Sequence, residues 1–258
     1  MTNLIRIPAN TRARVTVARD DIVDKFDVVG MQFKFLGGAF PAAWAYYKFE
    51  EPDESELWVD ATGQGHHLRR NLGYEAIPTS TVGKINNGIS FAGSQPIVID
   101  NEDEEGYYFK SGIEVTDPFS WSAWAKVGGS STYNDLLDFN IEYVYLWIQD
   151  DGSIMYYPCY DYPGHEVSVD CTGSLHHIVV TSDGATVKLY VDNTLVDTYE
   201  ITEDCDCAYL SWLTSIALGI SHRASGESIL DELGLWLVEL TPAQIAQLWN
   251  SGNGWSPY

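Results

Sequence analysis

The sequence predicts an all-β antiparallel sandwich with one short C-terminal helix. Three observations point there: 16 Tyr and 9 Trp in 258 residues, 22 Gly, and many short runs of period-two alternation bounded by Gly, Asp and Asn turns. Helical periodicity is nearly absent. With 45% apolar and 20% charged residues the chain is long enough to bury a sizeable core, and disorder, collagen and coiled coil are excluded.

Alternation marks strands at residues 44–49, 88–91, 119–126, 143–149, 153–157, 176–182, 187–192, 194–200, 215–220 and 229–238. Strands at this spacing argue for two packed sheets. Two hairpins are written into the turns: Asp151-Gly152 separates alternating runs, and Asp192-Asn193 joins 187–191 to 194–200. Near the end Thr241 is a natural N-cap, Pro242 suits the first helical position, Gln244 completes a capping box and Gly252 can stop the helix. Its apolar residues Ile245, Leu248 and Trp249 share one face, which is expected to lie on the sandwich.

Residues 1–40 read differently. Ile5, Ile7, Val15 and Val17 alternate in short runs, and an apolar stretch to Phe40 is broken by Gly30, Gly37 and Gly38. This predicts an extended N-terminal arm or small β extension (1–40) before the sandwich (41–258). Fourteen Lys and Arg stand against 37 Asp and Glu, a formal charge of −23. Such a field repels phosphate backbones and anionic bilayers, so neither a nucleic acid nor a membrane is an expected partner. Residues 1–34 hold six of the basic residues against four Asp, whereas no Lys or Arg occurs between Lys126 and Lys188. A near-neutral arm precedes a strongly acidic body. No stretch approaches the ~20 apolar residues of a spanning helix, and the first residues lack the pattern of a secretory signal, so the chain is expected to be soluble and not exported by one.

Four cysteines, Cys159, Cys171, Cys205 and Cys207, are too few for a disulfide scaffold. They lack the paired spacing of a zinc site, and buried thiols beside strands are the leading reading. Glu51, Asp53 and Glu56 spell the E-x-D-x-x-E of a glycosidase carboxylate pair, but Pro52 and the polar surroundings put them in a loop, where alternate side chains are not aimed into a groove. His66-His67 and His176-His177 are adjacent pairs whose members face opposite sides of a strand, so neither chelates as a unit. No credible catalytic set emerges, and the chain is not expected to be an enzyme.

The most suggestive surface is the run Tyr143, Tyr145 and Trp147, which share one strand face while Val144, Leu146 and Ile148 share the other. If the aliphatic face packs inward, the rings are presented outward, extended by Tyr156, Tyr157 and Tyr160. Aromatic rings stack on sugar faces and pair apolar bodies with polar tips, which suits a glycan or protein ligand. The opposite arrangement, rings in the core, is equally open at this point.

Four segments in order carry a family resemblance. They are Trp44-Ala-Tyr-Tyr-Lys-Phe-Glu-Glu51 with Trp58-Val-Asp-Ala-Thr-Gly-Gln-Gly-His-His-Leu68, then Gly83-Lys-Ile-Asn-Asn-Gly-Ile-Ser-Phe-Ala-Gly93, then Leu175-His-His-Ile-Val-Val-Thr-Ser-Asp-Gly184 leading to Val187-Lys-Leu-Tyr-Val-Asp192, and finally Ile229-Leu-Asp-Glu-Leu-Gly-Leu-Trp236 leading to Asn250. From about residue 44 to 252 the chain thereby resembles the laminin-G-like, concanavalin A-like lectin and glucanase family. The resemblance implies a two-sheet jelly-roll sandwich. It also implies a possible structural calcium ion near Glu50, Glu51, Asp231 and Glu232, with Glu50 standing where the family usually has Asp. Asn101 to Gly106 is a second acidic loop of the same kind. His176-His177 matches a structural pair of the family, with one ring inward.

The functional expectation is a non-catalytic recognition or adhesion module for a glycan or cell-surface ligand. A compatible expectation is a structural component of a larger assembly, for instance a decoration or tail protein on a phage virion, oligomeric in context and docked to other subunits through residues 1–40. Its place would be a virion or extracellular surface. Alternatives are a free-standing lectin-like protein and, less favoured, a laminarinase-type glycoside hydrolase.

Overall fold

The computed structural model describes residues 40–70, 78–92, 97–99, 117–126, 134–138, 145–148, 154–157, 165–167, 170–200, 217–218 and 227–258. The expected arm, residues 101–106, Tyr143, Tyr160, Cys159, Cys205 and Cys207 lie outside the described residues. In chain order the strands are β1 (Ala45–Tyr47), β2 (Leu57–Trp58), β3 (Leu68–Arg70), β4 (Thr79–Val82), β5 (Asn87–Ala92), β6 (Ile97–Ile99), β7 (Phe119–Lys126), β8 (Asn134–Asp138), β9 (Tyr145–Ile148), β10 (Ile154–Tyr157), β11 (His165–Val167), β12 (His176–Ser182), β13 (Thr186–Val191), β14 (Thr194–Glu200), β15 (Ala217–Leu218) and β16 (Glu227–Trp236). One helix, α1 (Pro242–Trp249), follows.

The strands form two antiparallel sheets. The first runs β14-β13-β12-β7-β16-β5-β4, with β1 also paired to β16; the second runs β11-β10-β9-β8-β15-β6-β3-β2. The strands expected at 119–126, 176–182 and 194–200 form over those residues. The short strands β2, β3, β4, β6, β8 and β11 were not expected, because runs of two to five residues show too little alternation to register. At the β13–β14 hairpin Asp192 and Asn193 both take positive φ, 49° and 63°, the two-residue turn whose twist matches the flanking strands. The helix carries the expected capping box, Gln244 N–H donating to the Thr241 hydroxyl and Thr241 N–H to Gln244 Oε1. It ends at Asn250, φ 47°, rather than at Gly252: the left-handed conformation begins two residues earlier, on a side chain that tolerates it.

The core lies between the sheets. Ala45, Tyr47, Phe49, Ile89, Phe91, Trp121, Ala123, Ile178, Val180, Leu230 and Leu235 come from the first sheet and its flank; Trp58, Leu68 and Ile154 come from the second. Alternation sends Tyr46, Ser122, Trp124, His177, Asp231 and Trp236 to the other face of the first sheet, yet these too are buried. The C-terminal segment covers them. Trp249 stacks on Trp124 with ring centroids 5.1 Å apart, Lys84 Nζ lies 4.4 Å from the Trp124 ring, and Ile245 and Leu248 turn inward from α1. Cys171 is a buried free cysteine whose thiol is pushed up to about 12 by burial, so it stays protonated.

Strand β16 contains an irregularity between Asp231 and Gly234 where Glu232, φ 49°, is the extra residue of a bulge. It resets the alternation, so that Leu230, Leu233 and Leu235 all belong to the core while Asp231, Gly234 and Trp236 share the other face. Gly234 is the tightest position in the strand. A Cβ there would lie 2.3 Å from the Trp236 ring and 2.7 Å from the Tyr46 ring, both buried. Gly234→Ala is therefore expected to destabilise the protein by about 1–3 kcal/mol, because two buried rings must move. Urea denaturation checks it, and an unchanged midpoint would contradict this packing.

Candidate functional site

Two places in the sandwich gather chemistry-bearing residues. The first is where the opening and closing strands meet. Asp60, 2% exposed, accepts from the backbone N–H of Tyr46, Thr62 and His66 and from the Thr62 hydroxyl. Burial would raise its carboxyl, but these donors outweigh burial and bring it below the ordinary carboxylate value. Asp60 thus organises the turn that ends in His66, whose ring stacks on Trp44 at 3.9 Å.

Asp231, fully buried, accepts at Oδ2 from the N–H of Lys84 (2.6 Å) and Ile85 (2.9 Å) and at Oδ1 from the N–H of Glu232 (2.8 Å). It pins the 83–86 turn to the closing strand. Gly83 is required there, since a Cβ would sit 2.6 Å from Asp231 Oδ2 and 2.5 Å from a backbone oxygen. Burial pushes the Asp231 carboxyl up to about 8 in spite of the N–H donors, and Glu232 beside it adds in the same direction. Glu232 itself is raised, by burial first, and accepts from the Tyr46 hydroxyl. Glu50 accepts from Asn86 Nδ2, and Glu51 Oε1 from Val59 N–H at 2.8 Å.

The four acids expected around a calcium ion are therefore engaged separately by protein donors. Both oxygens of Asp231 are committed to N–H groups, leaving Glu51 Oε2 and Glu232 Oε1 as buried oxygens without a hydrogen bond. Among the described residues no three His, Cys, Asp or Glu side chains gather around one point. This arrangement does not fit a hard-cation cage. The Glu51 to Glu56 window forms the loop between β1 and β2, with Pro52, Asp53 and Glu54 exposed and Asp53 capping Ser80 N–H. These carboxylates tie loops together and do not face one another across a cleft.

His177 is the inward ring of its pair, 1% exposed, and bonds the Ser122 hydroxyl through Nε2 at 2.8 Å. This contact was not expected from the sequence; it arises because β7 and β12 are neighbours and both residues belong to the covered face. It does not make a nucleophile. Asp192 accepts from the backbone N–H of His177 and bonds the ring of His176 instead, and burial lowers the His177 imidazole to about 3, leaving it a poor base.

The second place is the face of the second sheet. Ile154 is fully buried in the core, and it pairs directly with Ile148. In the same ladder Met155 pairs with Trp147, Tyr156 with Leu146 and Tyr157 with Tyr145. Val167, packed against the core, pairs with Ile154, and Leu68 is buried beside the exposed Arg69. Of the residues expected to bind a ligand, Tyr145, Trp147, Tyr156 and Tyr157 thus lie in the adjacent strands β9 and β10. Register adds Met155 opposite Trp147, Asp135 opposite Trp147, Asp138 opposite Tyr145 and Glu166 opposite Met155. These pairings were missed by sequence reasoning, since the register shift in β8 between Asp135 and Leu137 leaves no mark in a five-residue run.

A laminin G model of the concanavalin A-like lectin/glucanases superfamily matches residues 89–246. No curated protein matches the chain. Among solved structures, the binding domain of Paraclostridial Mosquitocidal Protein 1 is 14% identical with a TM-score of 0.58, over 82% of this chain and 52% of that one. The botulinum neurotoxin serotype D ligand binding domain in complex with N-acetylneuraminic acid is 14% identical, TM-score 0.58, over 81% and 50%. Domain 4 of AbnA, a GH43 extracellular arabinanase from Geobacillus stearothermophilus, in complex with arabinotriose, is 17% identical, TM-score 0.58, over 82% and 97%. The chain spans about half the length of the toxin domains it matches and nearly all of the arabinanase domain. At these identities the likeness is one of fold.

The acid cluster has a measurable consequence. Asp231 holds a proton in the fold up to about 8, whereas its ordinary value is 3.8, so the stability it contributes is complete below 3.8 and is lost as pH rises through about 8. His177 works in the other direction: its contribution is present above its ordinary 6.5 and is lost as pH falls toward about 3. Between about pH 7 and 8 the His177 effect is complete and the raised Asp231 carboxyl, with Glu232 acting in the same direction, lowers stability, by up to about 1.4 kcal/mol per unit for Asp231. Asp231→Asn should flatten that slope in urea denaturation across the same window; an unaltered slope would show that another group sets it.

Proposed function

The chain belongs to the concanavalin A-like lectin/glucanases superfamily, and on that premise we propose that it is a non-catalytic recognition module that takes a glycan on the outward face of its second sheet. One observation carries the reading: β9 and β10 are neighbours, with Tyr145 directly paired to Tyr157 and Trp147 two residues along the same strand. Aromatic rings in such a row offer flat apolar surfaces to sugar rings and polar edges to their hydroxyls. The likeness to an arabinanase domain solved with arabinotriose, nearly all of which the chain covers, supports the same reading. Catalysis is not part of it. The E-x-D-x-x-E residues are loop fasteners and the Ser122–His177 contact is sealed under Trp124 and Trp249.

A glycan array with the full chain tests this. Replacing Trp147 by Ala should weaken binding by about tenfold or more without moving the thermal midpoint. Loss of the cooperative thermal transition would instead put Trp147 in the core and sink the reading.

A second reading concerns residues 1–40, with their contrast of charge against the acidic body. We propose that they dock the sandwich to other subunits of an assembly, such as a virion surface, leaving the second sheet to face outward. Removal of residues 1–40 should then leave a body that unfolds cooperatively but no longer joins the assembly. If the shortened chain has no cooperative transition in calorimetry, the segment is part of the fold and the docking role falls.

A further inference from the structure

The segment from Leu240 to Tyr258 contains no Asp, Glu, Lys, Arg or His, the longest uncharged run in a chain of net charge −23. With 20% of the residues charged, a run of this length would ordinarily hold about four. The run forms α1 and the closing residues. Leu240 N–H donates to Ser120 Oγ at 2.8 Å and Trp249 stacks on Trp124, so α1 runs along β7. Ile245 and Leu248 turn toward the sheet, whereas Ala243, Ala246 and Gln247, spaced i, i+3 and i+4, are exposed on the opposite side of the helix. Leu237 and Val238, just before the helix, are 45% and 43% exposed. Exposed segments elsewhere among the described residues carry carboxylates: Asp53, Glu54 and Glu56 between β1 and β2, Asp183 at the β12–β13 turn and Glu200 at the end of β14.

We propose that the exposed face of α1 is a two-fold contact with a second copy of this chain. The proposal does not depend on the glycan-binding role. Two bodies of net charge −23 repel one another through their long-range field, so close approach favours a surface on which neither carries charge. Across a two-fold axis each group near the axis meets its own kind. Like charges repel there, whereas alanine packs on alanine, and an amide, with both a donor and an acceptor, bonds its own copy. The face of α1 offers Ala243, Ala246 and the Gln247 amide, a chemistry that matches itself and gives an acidic or basic partner no countercharge. Small residues also let two helix axes approach to the near end of the ~8–10 Å range. An axis perpendicular to α1 runs the two helices antiparallel, with their dipoles opposed, and sets the first turn of each over the last turn of the other. Those ends bear opposite charges. Glu239 lies just before the first turn, in an ion pair with Lys188 at 2.7 Å, and Lys84 Nζ lies beside the last, 4.4 Å from the Trp124 ring on which Trp249 stacks.

Sedimentation velocity of the full chain over a concentration series, at about 50 mM and about 500 mM salt, tests this. Self-association is expected, and it should tighten about tenfold or more at the higher salt, because screening removes the general repulsion and leaves the uncharged contact. Ala246 lies near the middle of α1 and so nearest the axis. A246E and A246K place good helix formers at an exposed position, so each should weaken association about tenfold or more with little change in thermal midpoint. An equimolar mixture of the two should restore it. The lysine variant separates this contact from a general charge effect, since it lowers the net negative charge and would otherwise tighten association. T198E puts a carboxylate at an exposed position of β14 and should leave association within about twofold. A chain that stays monomeric at both salts would overturn the proposal. Association that A246E and A246K leave unchanged, or that T198E disrupts instead, would put the contact on another face and overturn it as well. Failure of the mixture to associate would remove the two-fold arrangement.

Discussion

Strand β16 is the piece on which the other parts of the sandwich depend. One of its edges pairs along β7, and the other is shared by β5 at residues 227–230 and by β1 at 233–235. A regular strand could not keep its apolar residues inward over that length, because the sequence changes parity between Leu230 and Leu233. The bulge at Glu232 absorbs the change. It also leaves two carboxylates buried at the junction, and the fold meets that cost with donors brought from far along the chain: the N–H groups of Lys84 and Ile85 and the hydroxyl of Tyr46. Two turns and two sheet edges are tied together through one irregular step.

The two sheets then take different parts. The first buries both faces of its central strands β7, β12 and β16, one against its partner and one beneath α1 and the closing residues, so Ser122, Trp124, His177 and Trp236 are structural in spite of their chemistry. The second contributes Trp58, Leu68 and Ile154 to the core between the sheets.

Much of this was legible in the sequence. The long strands of the first sheet alternate over seven or eight residues, the β13–β14 turn carries Asp-Asn, and the helix carries its cap, so each is declared locally. The candidate surface was legible as a pattern without a direction. Periodicity separates Tyr145 and Trp147 from Leu146 and Ile148, but which set faces the core depends on Ile154 across the hairpin, a tertiary fact. The pairing of β8 was not legible because its register shift breaks the count of two on which strand periodicity rests. The calcium expectation did not match the geometry for a related reason: resemblance transfers residues, whereas the donors that occupy them, backbone N–H groups above all, are set by how the loops approach.

The two ends of the sandwich are fastened to each other. Ala43 N–H donates to the Tyr258 hydroxyl, Lys48 Nζ donates to the Tyr258 carbonyl oxygen, and Trp236 Nε1 donates to the Pro41 carbonyl. Topologically the domain is almost a ring. A short linker from Tyr258 back to Pro41 would close it with little loop entropy, and the chain could then be opened at a surface turn such as the one at Asp192 and Asn193 without loss of any sheet neighbour. The order of the strands in the gene is thus a weaker constraint on this sandwich than their order in space.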